Sequence, residues 1–313
     1  MLSLNTPAQR SILRSMVLFL ALIFLFPLPL KADEPDKFNA AILVSRHIKP
    51  YMDALRGLRG SLDRESGIDE KVFILDQYDL DHPRLISKEL SGLSPDIMVA
   101  VGPEATTLAW SLSRDTGVPS IYSMVLNPEA LAAVDIEPGC GLSMKIPVAR
   151  QIRDMAQVLD GMKRLGILYD PSLNQAFVNE AARQAGFSGL EVVPLQVSSS
   201  RQIPGVLEEK WPSIDALWLI PDQTVISQTL VEYIIREALF QKKPVVGYNR
   251  FFYDSGAALA FALDFEDIGR QTAKLVIDHL SGLSCTELIP SYQVLVNHRV
   301  MRRMGLTDSG AGP

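Results

Sequence analysis

Short, continuously apolar runs recur along this chain, each separated from the next by a longer segment whose apolar residues keep helical spacing. The pattern predicts strands at Ala40–Val44, Lys71–Asp76, Ile97–Val101 and Ser120–Met124. Between them it predicts helices near Tyr51–Glu65, Pro83–Leu90 and Glu104–Ser113, with Leu55, Leu58 and Leu62 on one face of the first. The strand runs are apolar throughout instead of alternating, and they end on polar, Gly or Pro residues. That is the pattern of parallel strands covered on both faces. A parallel sheet with crossover helices, and so an α/β fold class, is the economical solution.

The rhythm then starts again. Strands are predicted at Arg164–Tyr169, Leu190–Gln196, Ala216–Ile220 and Pro244–Tyr248, with helices at Asn174–Ala185, Ile203–Lys210 and Ser227–Gln241. Strand ends match in chemistry between the halves: LVSRHIKPY (43–51) with ILYDPSLNQ (167–175), AVGPEATT (100–107) with LIPDQTVIS (219–227), and IYSMVLNP (121–128) with VVGYNRFF (245–252). Two similar Rossmann-like lobes with parallel sheets are the simplest account. The tail starts no third lobe. It reads as a strand at Ala257–Leu263, a helix at Phe265–Ser281, a strand at Leu288–Val296 and a short basic helix near Val300–Gly305. Residues 308–313 are Gly/Ser-rich and expected to be disordered.

The N-terminus carries a different signal. Arg10 and Arg14 precede an apolar run from Met16 to about Leu30, broken by Pro27 and Pro29 and followed by the small Ala32. That order is a secretory signal peptide, residues 1–32, cut near Ala32. The run is about 15 residues, short of the roughly 20 a membrane span needs, and no Cys follows it for a lipid anchor. Without the three basic residues of that leader (Arg10, Arg14, Lys31) the formal charge falls from −6 to −9. A surface so acidic repels phosphate backbones, so no nucleic-acid partner is expected. The two cysteines, Cys140 and Cys285, are far apart and in no CxxC; on the residues alone they read as two small buried apolar side chains, although an oxidising compartment permits a bridge.

Ligands of open parallel sheets sit beyond the C-terminal strand ends. The candidate lining from the first half is Ser45, Arg46, His47, Gly102, Pro103, Glu104, Ala105, Thr106, Tyr122 and Met124. The second half adds Asp170, Asn174, Asp222, Thr224, Asn249 and Phe251. Helix N-termini at Ala105–Thr107 and Thr224–Ser227 would offer free N–H groups to an anion. Several of these have plainer roles open to them. Arg46 is equally a solvated loop charge, Asp222 equally a helix cap, Glu104 an ordinary first-turn acid and Tyr122 a core aromatic. Catalytic motifs are missing: no GxGxxG follows a strand, and GxxxxGK[ST], GxSxG and HExxH are absent. The four histidines are scattered, and two thiols without clustered histidines make no zinc site. No enzyme, no cofactor and no metal are expected.

The strand-end segments ILVSRHIKPYMDALRGLRGSL (42–62), PDIMVAVGPEATTLAW (95–110), VPSIYSMVLNP (118–128), RLGILYDPSLN (164–174), DALWLIPDQTVIS (215–227) and KPVVGYNRFFYDSGAALAFALDFEDIGRQTAKL (243–275) stand in the same order as in a known family. They resemble the ABC-transporter substrate-binding family whose better-known members bind tryptophan or tyrosine, and the likeness runs from about Ala40 to Leu306. The resemblance implies a type I periplasmic-binding-protein fold, two lobes joined by three hinge crossings. It divides the chain into 33–145 plus 263–285 and 146–262 plus 286–307. It also brings Cys140 and Cys285 near crossings, which favours a hinge disulfide more than their separation does. In aromatic-amino-acid binders the loop matching GPEAT holds the ligand carboxylate, and the Asp matching Asp222 neutralises its amino group. Glu104 departs from that pattern, as does YSMVLNP, which leaves cationic, neutral or other solutes open.

These readings predict an exported, monomeric solute-binding protein that closes on a small solute, an amino acid or related compound, and delivers it to a membrane permease. A periplasmic sensing module for a membrane receptor is the alternative. A two-lobed glycosyl transferase or epimerase is the enzymatic one, and export away from nucleotide-sugar donors counts against it.

Overall fold

The computed structural model describes residues 37–306 other than 65–66, 79–82, 132–138, 226 and 287. The leader 1–32 and the tail 308–313 lie outside the described residues. Eleven strands and ten helices among the described residues form two sheets with helices on both faces.

The first sheet has the order β2-β1-β3-β4-β5 and is parallel throughout. Its strands are β1 (Phe38–Val44), β2 (Ile68–Ile74), β3 (Ile97–Val101), β4 (Ser120–Val125) and β5 (Gly141–Ser143). All five residues of β3 are buried because alternate side chains enter different cores. Ile97, Val99 and Val101 join Ala40, Ile42 and Val44 on one face; Met98 and Ala100 join Ala41 and Leu43 on the other. The second face is covered by α2 (Pro83–Leu93) and α3 (Pro103–Thr116), the first by α1 (Lys49–Leu62). At Met124, buried with φ of 60°, the β4–β5 register shifts.

The second sheet runs β11-β10-β9-β8-β6-β7. It is built from β6 (Arg164–Tyr169), β7 (Glu191–Gln196), β8 (Ala216–Leu219), β9 (Val245–Gly247), β10 (Leu259–Leu263) and β11 (Tyr292–Val296). Only β11 is antiparallel, pairing β10 along its length. Leu165, Ile167, Tyr169 and Trp218 face one core, Leu168, Leu217 and Leu219 the other. The helices are α4 (Val148–Val158), α5 (Pro171–Phe187), α6 (Ile203–Lys210), α7 (Gln228–Phe240), α8 (Arg250–Asp254) and, after β11, α10 (His298–Met304).

α9 (Phe265–Leu280) lies between β10 and β11 in sequence but packs on the first sheet against α1. The two helices approach to backbone contact. A Cβ at Gly57 would meet the Glu266 carbonyl at 1.8 Å, and one at Gly269 the Ala54 carbonyl at 1.9 Å. A buried hydroxyl pair, Ser123 Oγ and Thr272 Oγ1 at 2.7 Å, ties α9 to β4. The chain therefore passes between lobes three times: at residues 144–147, at Asp264 and at residues 281–291. The last two passes are knitted together. Asp264 N–H donates to Ser291 O (2.9 Å), and the Gln271 amide donates to Ile289 O and accepts from Ser291 N–H, each at 2.8 Å. Tyr292, leaving the third pass, donates to Asp154 of α4 at 2.6 Å; burial first, then this carboxylate, pushes the phenol up to about 12.

Two small buried thiols were the expectation from the residues for Cys140 and Cys285. The structure corrects it: they form a disulfide, with Cα atoms 5.7 Å apart, and Cys285 is exposed. The reason is the return of α9, which brings the third pass beside the start of β5. Element bounds also shift. β2 starts at Ile68, not Lys71, because it pairs β1 from Phe38 onward. α5 starts at Pro171, not Asn174, because Asp170 caps it and Pro171 suits a first turn. β11 starts at Tyr292, not Leu288, because the preceding residues belong to the Gln271-pinned pass. β5, α4 and α8 had no counterpart in the sequence reading.

Gly57→Val should destabilise the protein by about 1–3 kcal/mol in denaturant unfolding, the usual penalty of overpacking. Gly60→Ala, where a Cβ meets open space, should not, and equal effects would dismiss the close helix contact. Cys285→Ser should cost about 2–4 kcal/mol, and the unreduced wild type should show no thiol titre.

Candidate functional site

Residues just beyond strand ends of both sheets, Leu126 and Asn127 after β4 and Pro221, Tyr248 and Asn249 after β8 and β9, line one cavity. On the first side, Gly102 precedes α3 with φ of 95°, and a side chain there would meet Ser45 Oγ at 2.7 Å and the Tyr51 ring at 2.9 Å. Only glycine fits. Ser45 is thereby close enough to accept the Ala105 N–H at 2.9 Å, while Thr106 N–H returns to Gly102 O at 3.1 Å. Pro103 has no N–H. Glu104 turns its carboxylate back over its own N–H and takes the Arg46 guanidinium on Oε1, with Nε at 3.0 Å. Burial alone would raise this carboxyl; its own N–H, Arg46 and the Ser45 hydroxyl outweigh that and hold it below the usual range. Its Oε2 is buried without a hydrogen-bond partner. His47 is exposed and donates its N–H to Asp76 at 2.7 Å.

Tyr122 and Met124 lie in the core, Tyr122 edge-on to Trp110 at 5.8 Å and Met124 beneath the sheet face covered by α1 and α9. The free N–H groups expected at Ala105–Thr107 are thus engaged at Ala105 and Thr106. So is that of Thr224, which donates to Asp222 Oδ1 at 2.9 Å; α7 begins only at Gln228, capped by Ser227.

On the second side, Asp170, Asn174, Asp222 and Thr224 form one network. Asp170 accepts Ser172 N–H and Oγ–H at 2.9 and 2.7 Å, and the Thr224 hydroxyl at 3.0 Å. Those bonds, the Ser172 hydroxyl foremost, pull its carboxyl down. Asp222 is 2% exposed and accepts from Asp170 N–H (2.7 Å), Asn174 Nδ2 (2.8 Å) and Thr224 N–H. It binds two strand ends together and does not cap α7.

The main concavity adjoins these loops, and Asn174 belongs to both. A cavity of about 380 Å³ opens between the lobes beside the passes. Leu126 and Asn127 reach it from the first lobe, Met144, Lys145 and Phe265 from the passes. Asn174, Phe177, Trp218, Tyr248 and Asn249 line it from the second lobe. Phe177 stands edge-on to Trp218 at 5.3 Å, and burial followed by the Asp222 charge raises the Tyr248 phenol. Of the sixteen expected site residues only Asn174 and Asn249 line this cavity; Phe251 is exposed nearby on α8, against Phe252. A second opening, about 420 Å³, lies between α1 and the β11 edge, but its Lys49, Asp53, Arg56 and Glu266 are already paired with one another. The cavity beside the passes has the better claim, because it carries the rings of Phe177, Trp218 and Tyr248, which the second opening lacks.

No curated protein matches the chain. Among solved structures it is similar to the ligand-free, open structure of CD0873, a substrate binding protein with adhesive properties from Clostridium difficile. That match has 18% identity over 87% of this chain and 96% of that one, with a TM-score of 0.70. It is also similar to an ABC domain in complex with L-Trp from Streptococcus pneumonia, at 19% identity, 87% and 96% coverage and a TM-score of 0.54. A sugar-binding protein of a sugar ABC transporter from Bacillus halodurans gives 13%, 86% and 100%, and 0.57. These likenesses show the fold, that of type I periplasmic binding proteins. The model of one family, described as ABC transporter substrate binding protein, matches residues 53–309, and the chain belongs to that family.

Proposed function

We propose that this chain is the exported solute-binding component of an ABC-type import system. It captures a small solute between its lobes and presents it to a membrane permease. The observation that carries the reading is the cavity beside the three passes, walled by both lobes and by the hinge itself. An occupant there touches residues whose spacing changes when the lobes rotate, so binding and closure share one equilibrium. No chemistry is asked of the site, and no cofactor enters the mechanism.

Export rests on the leader-like order of residues 1–32, and the protein is read as periplasmic and monomeric. No helix among the described residues is long and apolar enough to cross a membrane. Of the strand-end residues, Arg46, His47, Asn174, Asn249 and Phe251 are proposed to meet the solute or the opposite lobe on closure. Ser45, Gly102, Pro103, Glu104, Ala105, Thr106, Asp170, Asp222 and Thr224 are proposed to hold the two rims in shape, with Tyr122 and Met124 beneath them.

Two measurements test this. Expressed with its leader, the chain should appear in the osmotic-shock fraction with an N-terminus near residue 33; recovery there of a chain still starting at Met1 would count against cleavage. In thermal-shift screening, one solute class should raise the melting temperature by mass action. The same solute should reduce the radius of gyration in solution scattering, and stabilisation without compaction would contradict closure.

A further inference from the structure

An α-amino acid needs two handles in such a cleft: donors for its carboxylate and an acceptor for its ammonium group. Here both places are filled from within. At the start of α3 the Ala105 and Thr106 N–H groups are taken by Ser45 and Gly102, and the Glu104 carboxylate covers its own N–H. A carboxylate arriving there finds a negative charge. On the opposite rim Asp222 already takes three donors from its own lobe and is almost wholly buried. An ammonium group would have to break that network to reach it.

The cavity offers a different pair of features. Lys145, on the first pass, is the only charged side chain in its lining; it is exposed and among the described residues has no salt-bridge partner. The same cavity is lined by the rings of Phe177, Tyr248 and Phe265 and by the neutral amides of Asn127 and Asn249, further donors. Such walls suit a flat apolar body, since an aromatic ring buries a large area at small entropic cost. A single ammonium is a point charge without the planar fork that favours phosphate. A dianion would also leave one charge unmatched between closing lobes, where the dielectric falls and an unpaired charge becomes costly.

Resting on the solute-binding reading above, we infer that the cavity takes an aromatic monocarboxylic acid without an ammonium group. Its ring lies between Phe177 and Tyr248, and its carboxylate pairs with Lys145.

The test is titration calorimetry of the mature protein with benzoate, phenylacetate, indole-3-acetate, L-tryptophan and tryptamine. At least one of the three acids should bind more tightly than tryptophan and tryptamine. Lys145→Met should weaken that acid about thirtyfold or more, as loss of one partner of a desolvated charge pair does. Its unliganded melting temperature should be unchanged, because Lys145 is exposed and has no salt bridge among the described residues. Phe177→Leu should weaken the same acid while keeping the fold. Tighter binding of tryptamine or tryptophan, or an unchanged affinity in Lys145→Met, would overturn the inference. If non-aromatic solutes bind and none of these five does, the aromatic-acid inference falls and solute binding stands. If no solute of any class binds, the solute-binding reading falls with it.

Discussion

The contact between α1 and α9 decides the architecture. Gly57 and Gly269 let two helices meet backbone to backbone, so α9 docks on the first lobe although the strands before and after it belong to the second sheet. Close approach of this kind is available only where no Cβ intervenes, and it is intolerant of added volume because interiors are close-packed. Once α9 is held there, the chain must leave the second lobe at Asp264 and return after residue 281. Three passes instead of one follow from that single packing choice, and the interlobe cavity is the space they border.

The passes are not equally free. The disulfide fastens Cys285 to the start of β5, and Gln271 fastens residues 289 and 291 to α9. The third pass is thereby clamped to the first lobe at one end and to Asp264 at the other. The first pass is tied to each side in turn: Met144 N–H donates to Val125 O and the Gln151 amide to Ile146 O. Met144, Lys145 and Phe265, which belong to or flank those same passes, line the cavity between the lobes.

Much of this was legible in the sequence, and the failures are instructive. Ile97–Val101 and Arg164–Tyr169 are read to the residue, because a strand buried on both faces is apolar throughout and its ends are marked. β5 is three residues long and escapes any periodicity argument. The destination of α9 is invisible to local pattern: its amphipathic face is the same whichever lobe it covers, and only the family resemblance assigns it. The disulfide depends on that destination, which is why the residues alone argued for two buried thiols. Of the expected strand-end residues, Asn174 and Asn249 line the cavity, while Phe177, Trp218 and Lys145 lie elsewhere in the fold. Trp218 sits within a strand, Phe177 on a helix face and Lys145 in a pass, positions that carry no local signal of ligand contact. They converge only after two sheets and three passes are in place.

The rims show the complementary limit. Glu104 and Asp222 were singled out because carboxylates at strand ends are chemically conspicuous. What sequence could not supply was whether their valences are free. The partners lie 58 residues away for Glu104 with Arg46, and 52 and 48 away for Asp222 with Asp170 and Asn174. Asp222, which accepts three donors in its own lobe, stiffens the loop that carries it, and removing it would strand buried donors, which costs more than the bond itself contributes. The same residue type at the same strand end can therefore grip a solute or grip the protein. In this chain the Asp222 carboxylate is engaged by three donors of its own lobe, whereas Glu104 keeps one buried oxygen without a partner.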